Sequence, residues 1–102
     1  MHRPPKSTLK IVVLYFAAAR ELARRASETF SFEEEEEEEE ERAVNVKVSV
    51  ADVKARILAR RPELSECLKT CAFSVDREYA ASDAQEVHDG SEVALIPPIS
   101  GG

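Results

Sequence analysis

The feature that most constrains folding is an unbroken run of nine glutamates, from Glu33 to Glu41. Nine adjacent like charges repel one another too strongly to belong to a packed helix or strand. The run therefore divides the chain into two segments that fold around a solvated loop. Because the entropy of loop closure grows only logarithmically with length, one domain can accept such an insertion. An acidic docking segment is the alternative interpretation.

The net charge is carried by this run. The 102 residues hold 14 Lys and Arg against 20 Asp and Glu, a formal charge of −6, and without the run the balance is +3. Neither value indicates the clustered basic face of a nucleic-acid-binding protein. No apolar stretch reaches the roughly 20 residues of a membrane helix, and the N-terminus lacks the apolar block of a secretory signal. We expect a cytosolic protein that binds neither nucleic acid nor membrane.

Apolar residues recur in patterns typical of strands. Leu9 to Phe16 is apolar at nearly every position, as in a central strand covered on both faces. Valine at every second position from Val44 to Val50 predicts a half-buried strand, and Thr29 to Phe32 also alternates. The second strand therefore lies at Glu28–Phe32, at Val44–Ser49, or in both. The later predicted strands are Cys71 to Val75, Glu78 to Ala80 and Glu92 to Ile96, with a turn at Asp76-Arg77.

One main helix is predicted between these strands. Ser49 and Asp52 have the spacing of an N-terminal helix cap, and Val53, Ile57 and Leu58 form an apolar stripe that ends before Pro62. A short, mostly solvated helix is expected within residues 17–26, and one more turn within residues 64–68.

A mixed sheet packed on one helix is the economical core for a chain of this length. We therefore predict an α+β fold of the β-grasp, or ubiquitin-like, type. Its domain spans residues 9–96 with an acidic loop insertion at 33–42. A flexible N-terminal arm occupies residues 1–8, and an extended C-terminal tail occupies residues 97–102.

The cysteines are expected to be structural. Cys67 and Cys71 lie four residues apart, and the only histidines are His2 and His88. This set is too small for a zinc site, so we predict no bound metal. The favoured interpretation is a pair of buried, reduced thiols, and a redox or metal-binding pair is the alternative.

The most informative segment is the C-terminus. The last predicted strand leads into Pro97-Pro98, which stiffen and extend the chain, and then to Ile99, Ser100 and two glycines, Gly101 and Gly102. Six extended residues span about 20 Å, and residues without side chains fit a narrow channel. A carboxylate becomes an acyl donor once ATP has adenylated it, and a sulfur nucleophile can then displace AMP to give a thiocarboxylate.

Two segments carry a resemblance to a known family. Residues 87–102, from Val87-His88-Asp89-Gly90 through Pro97-Pro98-Ile99-Ser100-Gly101-Gly102, resemble the ending of the small, sulfur-carrier subunit of molybdopterin synthase. Residues 13–22, Val-Leu-Tyr-Phe-Ala-Ala-Ala-Arg-Glu-Leu, are similar to that family's first strand and following turn. The glutamate run departs from the family, whose members have a much shorter connection there.

The resemblance implies a function and its partners. An adenylyltransferase related to ubiquitin-activating enzymes would consume ATP to form a glycyl adenylate at Gly102, which then becomes a thiocarboxylate. The tail would insert into the large subunit of molybdopterin synthase, which supplies the catalytic residues for sulfur transfer to cyclic pyranopterin monophosphate. The expected assembly is a heterotetramer of two small and two large subunits. No permanently bound cofactor is expected, because the sulfur is carried covalently.

The resemblance also assigns roles to residues of this chain. Gly102 would bear the sulfur, Gly101 would be its slender neighbour, and residues 97–100 would lead from strand to channel. Apolar atoms of Phe16, Leu95 and Ile99 would dock the partner, although Phe16 and Leu95 also fit a purely core role. Arg20 and Arg77 would add contacts at the rim, and the alternative is that these exposed charges are only solvated.

Three other functions share parts of this pattern. A protein modifier would use Gly102 to acylate lysines of target proteins. A thiamine-type sulfur carrier would share the carboxyl chemistry but lacks the Pro-Pro-Ile-Ser lead. A binding-only ubiquitin-like domain would not need Gly101 and Gly102.

Overall fold

The computed structural model describes residues 8–33 and 48–98. The elements of this part of the chain are β1 (Thr8–Tyr15), α1 (Ala17–Ala23), β2 (Ser27–Glu33), β3 (Val48–Ser49), α2 (Val50–Arg60), a 3-10 turn (Pro62–Leu64), α3 (Ser65–Thr70), β4 (Ala72–Val75), β5 (Glu78–Tyr79), β6 (Glu86–Val87) and β7 (Glu92–Ile96).

Two residues at the predicted domain borders belong to strands. Thr8, which was assigned to the arm, begins β1, and Glu33, which was assigned to the acidic loop, ends β2. The rest of the predicted arm, most of the acidic loop, Val44 and Val46, and the end of the tail lie outside the described residues. β2 confirms the strand predicted at residues 28–32, and Val48–Ser49 forms a short strand of its own.

Five strands form a mixed sheet in the order β2-β1-β7-β4-β5. β1 and β7 run parallel, whereas the other neighbours are antiparallel. β3 and β6 form a separate two-stranded ladder. With α2 as its longest helix, this arrangement confirms the predicted β-grasp fold. Within residues 8–33 and 48–98, the helices are too short or too polar to cross a membrane.

The main helix begins as its sequence predicts. The Ser49 hydroxyl accepts a hydrogen bond from the Asp52 amide, and the Asp52 carboxylate accepts one from the Ser49 amide, so the capping box is complete. The helix buries Val50, Val53 and Ile57, but Leu58 is 42% exposed. The expected place of Leu58 in the apolar stripe is therefore wrong, because the residue after Ile57 lies about 100° further around the helix.

β1 is central, but only one of its faces is fully covered. Ile11, Val13 and Tyr15 are buried in the core, while Val12 and Leu14 are half-buried. The prediction of a strand covered on both faces is therefore wrong. A single layer of helices covers one side of the sheet, and alternate side chains of a strand point to opposite sides.

The core face also contains a buried carboxylate, Glu28 of β2. It accepts hydrogen bonds from the Tyr15 hydroxyl at 2.9 Å and from the Arg61 Nε at 2.7 Å. Arg25 and Arg60 approach within 3.7 and 3.6 Å. Burial by itself would raise the pKa of Glu28, but the hydrogen bonds from Arg61 and Tyr15 outweigh it and hold that pKa below its usual value. Glu28 therefore ties β1 and β2 to the end of α2.

Candidate functional site

The base of the C-terminal tail is rigidly held. β7 pairs with β1 on one side and with β4 on the other, and its last residue, Ile96, lies opposite Ala72. Pro97 follows half-buried and Pro98 is exposed. Neither proline has an amide hydrogen to extend the ladder, so the chain leaves the sheet at this point. Ile99, Ser100, Gly101 and Gly102 lie outside the described residues.

Two turns fix the beginning of β7. In the β4–β5 turn, Asp76 and Arg77 have φ angles of 52° and 75°, as a two-residue hairpin turn requires. The Asp76 carboxylate accepts hydrogen bonds from the Glu92 amide at 2.9 Å and the Ser91 hydroxyl at 3.3 Å. Gly90, with φ of 88°, donates its amide to the Lys10 carbonyl at 2.8 Å. The strand that carries the tail is thus anchored at its start as well as along both edges.

The open face of the sheet forms a depression beside the tail base. Its volume is about 470 Å³. The register places Leu14, Ala94, Ser74 and Tyr79 side by side across four strands. The full lining is Leu14, Phe16, Ser74, Arg77, Tyr79, Glu92, Ala94 and Ile96. Phe16 is 47% exposed and Tyr79 is 72% exposed, so large apolar surface faces solvent next to the tail.

The structure separates the predicted docking residues. Phe16 lies in the depression, but Leu95 is fully buried in the core. The prediction that Leu95 contributes exposed apolar atoms is therefore wrong, and its alternative core role is confirmed. Leu95 pairs in register with the buried Tyr15 and Phe73, whereas Ala94 and Ile96 point to the open face. Ile99 lies outside the described residues.

The two arginines predicted at the rim also lie at different sites. Arg77 lines the depression, whereas Arg20 belongs to a different shallow site formed with Arg24 and Arg25 around the end of α1. Only Arg77 therefore borders the depression, at the end where β7 begins.

The sequence analysis did not identify Tyr79, Leu14 and Ile96 as part of this surface. The alternation of β7 already placed Ile96 on the same face as Ala94, and Leu14 lies two positions before Phe16. Once the core face is known, this alternation is sufficient to place Ile96 and Leu14 on the open face. For Tyr79, the only sequence signal was an aromatic residue in a short strand after a turn.

The thiols are less buried than expected. Cys67 and Cys71 are free, as predicted, but they are half-buried rather than buried. Across residues 8–33 and 48–98, no group of three or more His, Cys, Asp and Glu side chains is arranged to hold a metal ion.

Comparison with known proteins identifies the family. The ThiS family model matches residues 13–102. The molybdopterin synthase sulfur carrier subunit of Chlamydomonas reinhardtii is 38% identical over 95 residues, which cover 92% of this chain and all of the relative. The protein of the same name from Caenorhabditis briggsae is 35% identical over 92% of this chain and 99% of its own length. The chain belongs to the molybdopterin synthase sulfur carrier family.

Solved structures show the same fold. SAMP1 from Haloferax volcanii superimposes with a TM-score of 0.70 at 21% identity, covering 91% of this chain and 99% of that protein. A chain of the complex of subunits 1 and 2 of molybdopterin-converting factor from Helicobacter pylori matches with a TM-score of 0.58 at 19% identity, covering 92% and 100% of the two chains. These likenesses support the β-grasp fold that the sheet order established for this family member.

Proposed function

We propose that this chain is the sulfur carrier subunit of a molybdopterin synthase and that Gly102 carries the sulfur. The observation that carries this proposal is the placement of the tail base. The firmly paired strand β7 ends at Ile96, directly beside an open apolar depression, and continues into two prolines. Family membership supplies the chemistry that such a tail serves.

The chemistry proceeds in two steps at the Gly102 carboxylate. A carboxylate oxygen attacks the α-phosphorus of ATP, pyrophosphate leaves, and a glycyl adenylate forms. Hydrosulfide released by a sulfur donor then attacks the carbonyl carbon, AMP leaves, and the product is a thiocarboxylate, or 1-thioglycine. Catalysis of both steps belongs to an adenylyltransferase and its sulfur donor, and this chain contributes the acyl group.

The large subunit then receives the loaded tail. Phe16, Tyr79 and Ile96 dock against it, because large apolar side chains beside the tail base gain free energy when a partner covers them. Arg77 and Glu92 border this surface and set the orientation of the partner. Two carriers and two large subunits form the assembly, and no cofactor is bound permanently. A cytosolic location stays a prediction of the sequence.

The test is reconstitution with the adenylyltransferase, ATP, a sulfur donor, the large subunit and cyclic pyranopterin monophosphate. The expected results are a mass increase of about 16 Da at Gly102, from exchange of oxygen for sulfur, and formation of molybdopterin. A chain that lacks Gly102 has no residue at the reacting position and is expected to yield neither. Normal molybdopterin formation by the shortened chain would overturn the proposal.

The same reaction distinguishes the alternative functions. A protein modifier would produce isopeptide bonds between Gly102 and lysine side chains, which peptide mass spectrometry detects. A binding-only domain would retain its function without Gly101 and Gly102. Either result, in place of the thiocarboxylate, would reject the sulfur-carrier role.

A further inference from the structure

Two thiols lie in contact where α3 ends and β4 begins. The Sγ atoms of Cys67 and Cys71 are 3.4 Å apart. Both residues are half-buried and pack against the core. The proposed sulfur-carrier function uses neither of them.

The backbone holds the two residues in this arrangement. The Cys71 amide donates a hydrogen bond to the Cys67 carbonyl at 3.1 Å, and the Thr70 hydroxyl donates to the same oxygen at 3.3 Å. Residues four apart on a helix have Cβ atoms about 5–6 Å apart. A sulfur separation of 3.4 Å therefore means that the two side chains point toward each other.

We propose that Cys67 and Cys71 form a reversible intrachain disulfide when the protein meets an oxidant of the peroxide class. A disulfide needs the sulfur atoms about 2.05 Å apart and the Cβ atoms about 3.5–4.5 Å apart. The sulfur and Cβ atoms of the two residues must therefore move closer together. This movement involves the last turn of a short helix, which rearranges more readily than the strands of the core.

The reaction balances with hydrogen peroxide as the oxidant. The Cys67 sulfur attacks one peroxide oxygen, the O–O bond breaks, and a water molecule and a Cys67 sulfenic acid result. The Cys71 sulfur then attacks the Cys67 sulfur and displaces hydroxide, which leaves with the Cys71 proton as a second water. The two thiols lose two electrons and the peroxide gains them.

The environment of Cys71 indicates which of the two thiols reacts first with the peroxide. Burial, reinforced by the contact with Cys67, raises the pKa of the Cys71 thiol to about 12. A raised pKa makes Cys71 a poorer first nucleophile toward an oxidant, which favours it as the thiol that resolves the sulfenic acid. A disulfide across one helical turn is strained, and strained disulfides are easily reduced by other thiols, which makes the modification reversible.

The pair lies close to the tail base along the sheet. Cys71 directly precedes Ala72, and Ala72 is paired with Ile96 at the end of β7. Disulfide formation should therefore change the amide chemical shifts of both Ala72 and Ile96, whereas amides in β2 should stay unchanged.

The experiment treats the reduced full-length chain with hydrogen peroxide at neutral pH. We expect a monomer that has lost about 2 Da and regains its mass on incubation with reduced glutathione. Trypsin cleaves after Lys69, between the two cysteines. An unreduced digest should therefore contain a peptide that ends at Lys69 joined to the peptide of residues 70–77.

Matched serine variants assign the roles of the two thiols. In Cys71→Ser, peroxide should leave oxygen or a glutathione adduct on Cys67, with no loss of 2 Da. In Cys67→Ser, Cys71 should stay unmodified while the protein is folded and react after unfolding in urea. Disulfide-linked dimers alone, oxygen addition to both cysteines of the unsubstituted chain, or native thiols that stay unreacted would each overturn the proposal.

Discussion

The two faces of the five-stranded sheet differ in how far their side chains are buried and paired with other groups. On the core face even a charged group is fully partnered, because Glu28 is surrounded by Tyr15 and three arginines. On the open face Phe16 and Tyr79 leave large apolar surfaces in water. Burying a polar group without partners is costly, and an exposed apolar patch is typical of a binding surface. The comparison indicates that one face stabilises the domain, whereas the other is the face that the proposed function assigns to a partner.

The largest effect is expected from removing the buried carboxylate. Glu28→Leu leaves the Tyr15 hydroxyl and the Arg61 guanidinium without their shared acceptor, at a cost of about 3 kcal/mol in the free energy of unfolding. Urea denaturation measures this loss. Glu63→Gln is the matched control, because the ion pair of Glu63 with Arg61 at 3.7 Å is exposed and its loss should change stability by less than about 0.5 kcal/mol. Equal losses in both variants would contradict the special role of Glu28.

Leu95→Ala should also destabilise the domain strongly. Leu95 is fully buried, and the cavity left by this substitution typically costs about 3 kcal/mol. Denaturation of the variant, with Leu58→Ala as the exposed control, checks the value. A loss of partner binding without a loss of stability would instead support the docking role predicted from the sequence.

Phe16→Ala should show the opposite behaviour. Its half-exposed ring contributes little to the free energy of unfolding, but truncation should weaken binding to the large subunit by about 2 kcal/mol, roughly 30-fold. Calorimetric titration of the large subunit with the variant measures this effect. Leu22→Ala is the matched control, since Leu22 is 44% exposed on α1 and lies outside the depression. Equal affinity of the two variants would remove Phe16 from the interface.

Acid should weaken the core face. The pKa of Glu28 is lowered in the folded protein, so its stabilising contribution is present above the unfolded pKa of about 4.3 and is lost as the pH falls through the folded value. The loss should be smaller than that caused by Glu28→Leu, because a protonated carboxyl still accepts a hydrogen bond. Unfolding measured from neutral pH down to pH about 2 should show a shallower decline for Glu28→Gln than for the unsubstituted chain. Parallel curves would exclude Glu28 as the titrating group.

The smallest effect concerns the turn before β7. At Gly90 an added Cβ meets no atom within 4 Å, but φ is 88°. Gly90→Ala should therefore cost about 1 kcal/mol through backbone conformation alone, with no change in partner binding. Thermal unfolding measures the loss, and a much larger value would indicate a contact at this turn.

Much of the fold could be predicted because its signals are local. The Ser49–Asp52 cap, the Asp76-Arg77 turn and the alternation in β7 each depend on a few neighbouring residues. The short strand β6 was missed because Glu86–Val87 exists only through its pairing with Val48–Ser49, a contact between distant parts of the chain. Glu28 was missed as a structural residue for the same reason, since its partner Arg61 is 33 residues away.

The sequence by itself determined the order of the longer strands and helices and the composition of the C-terminal tail, because local periodicity and chain chemistry are properties of neighbouring residues. Only the tertiary structure decided which side of each strand the helices cover. That choice placed Leu95 in the core and left Phe16, Tyr79 and Ile96 beside the tail base. Alternation marks two faces on every strand, but packing against another layer is needed to bury one of them.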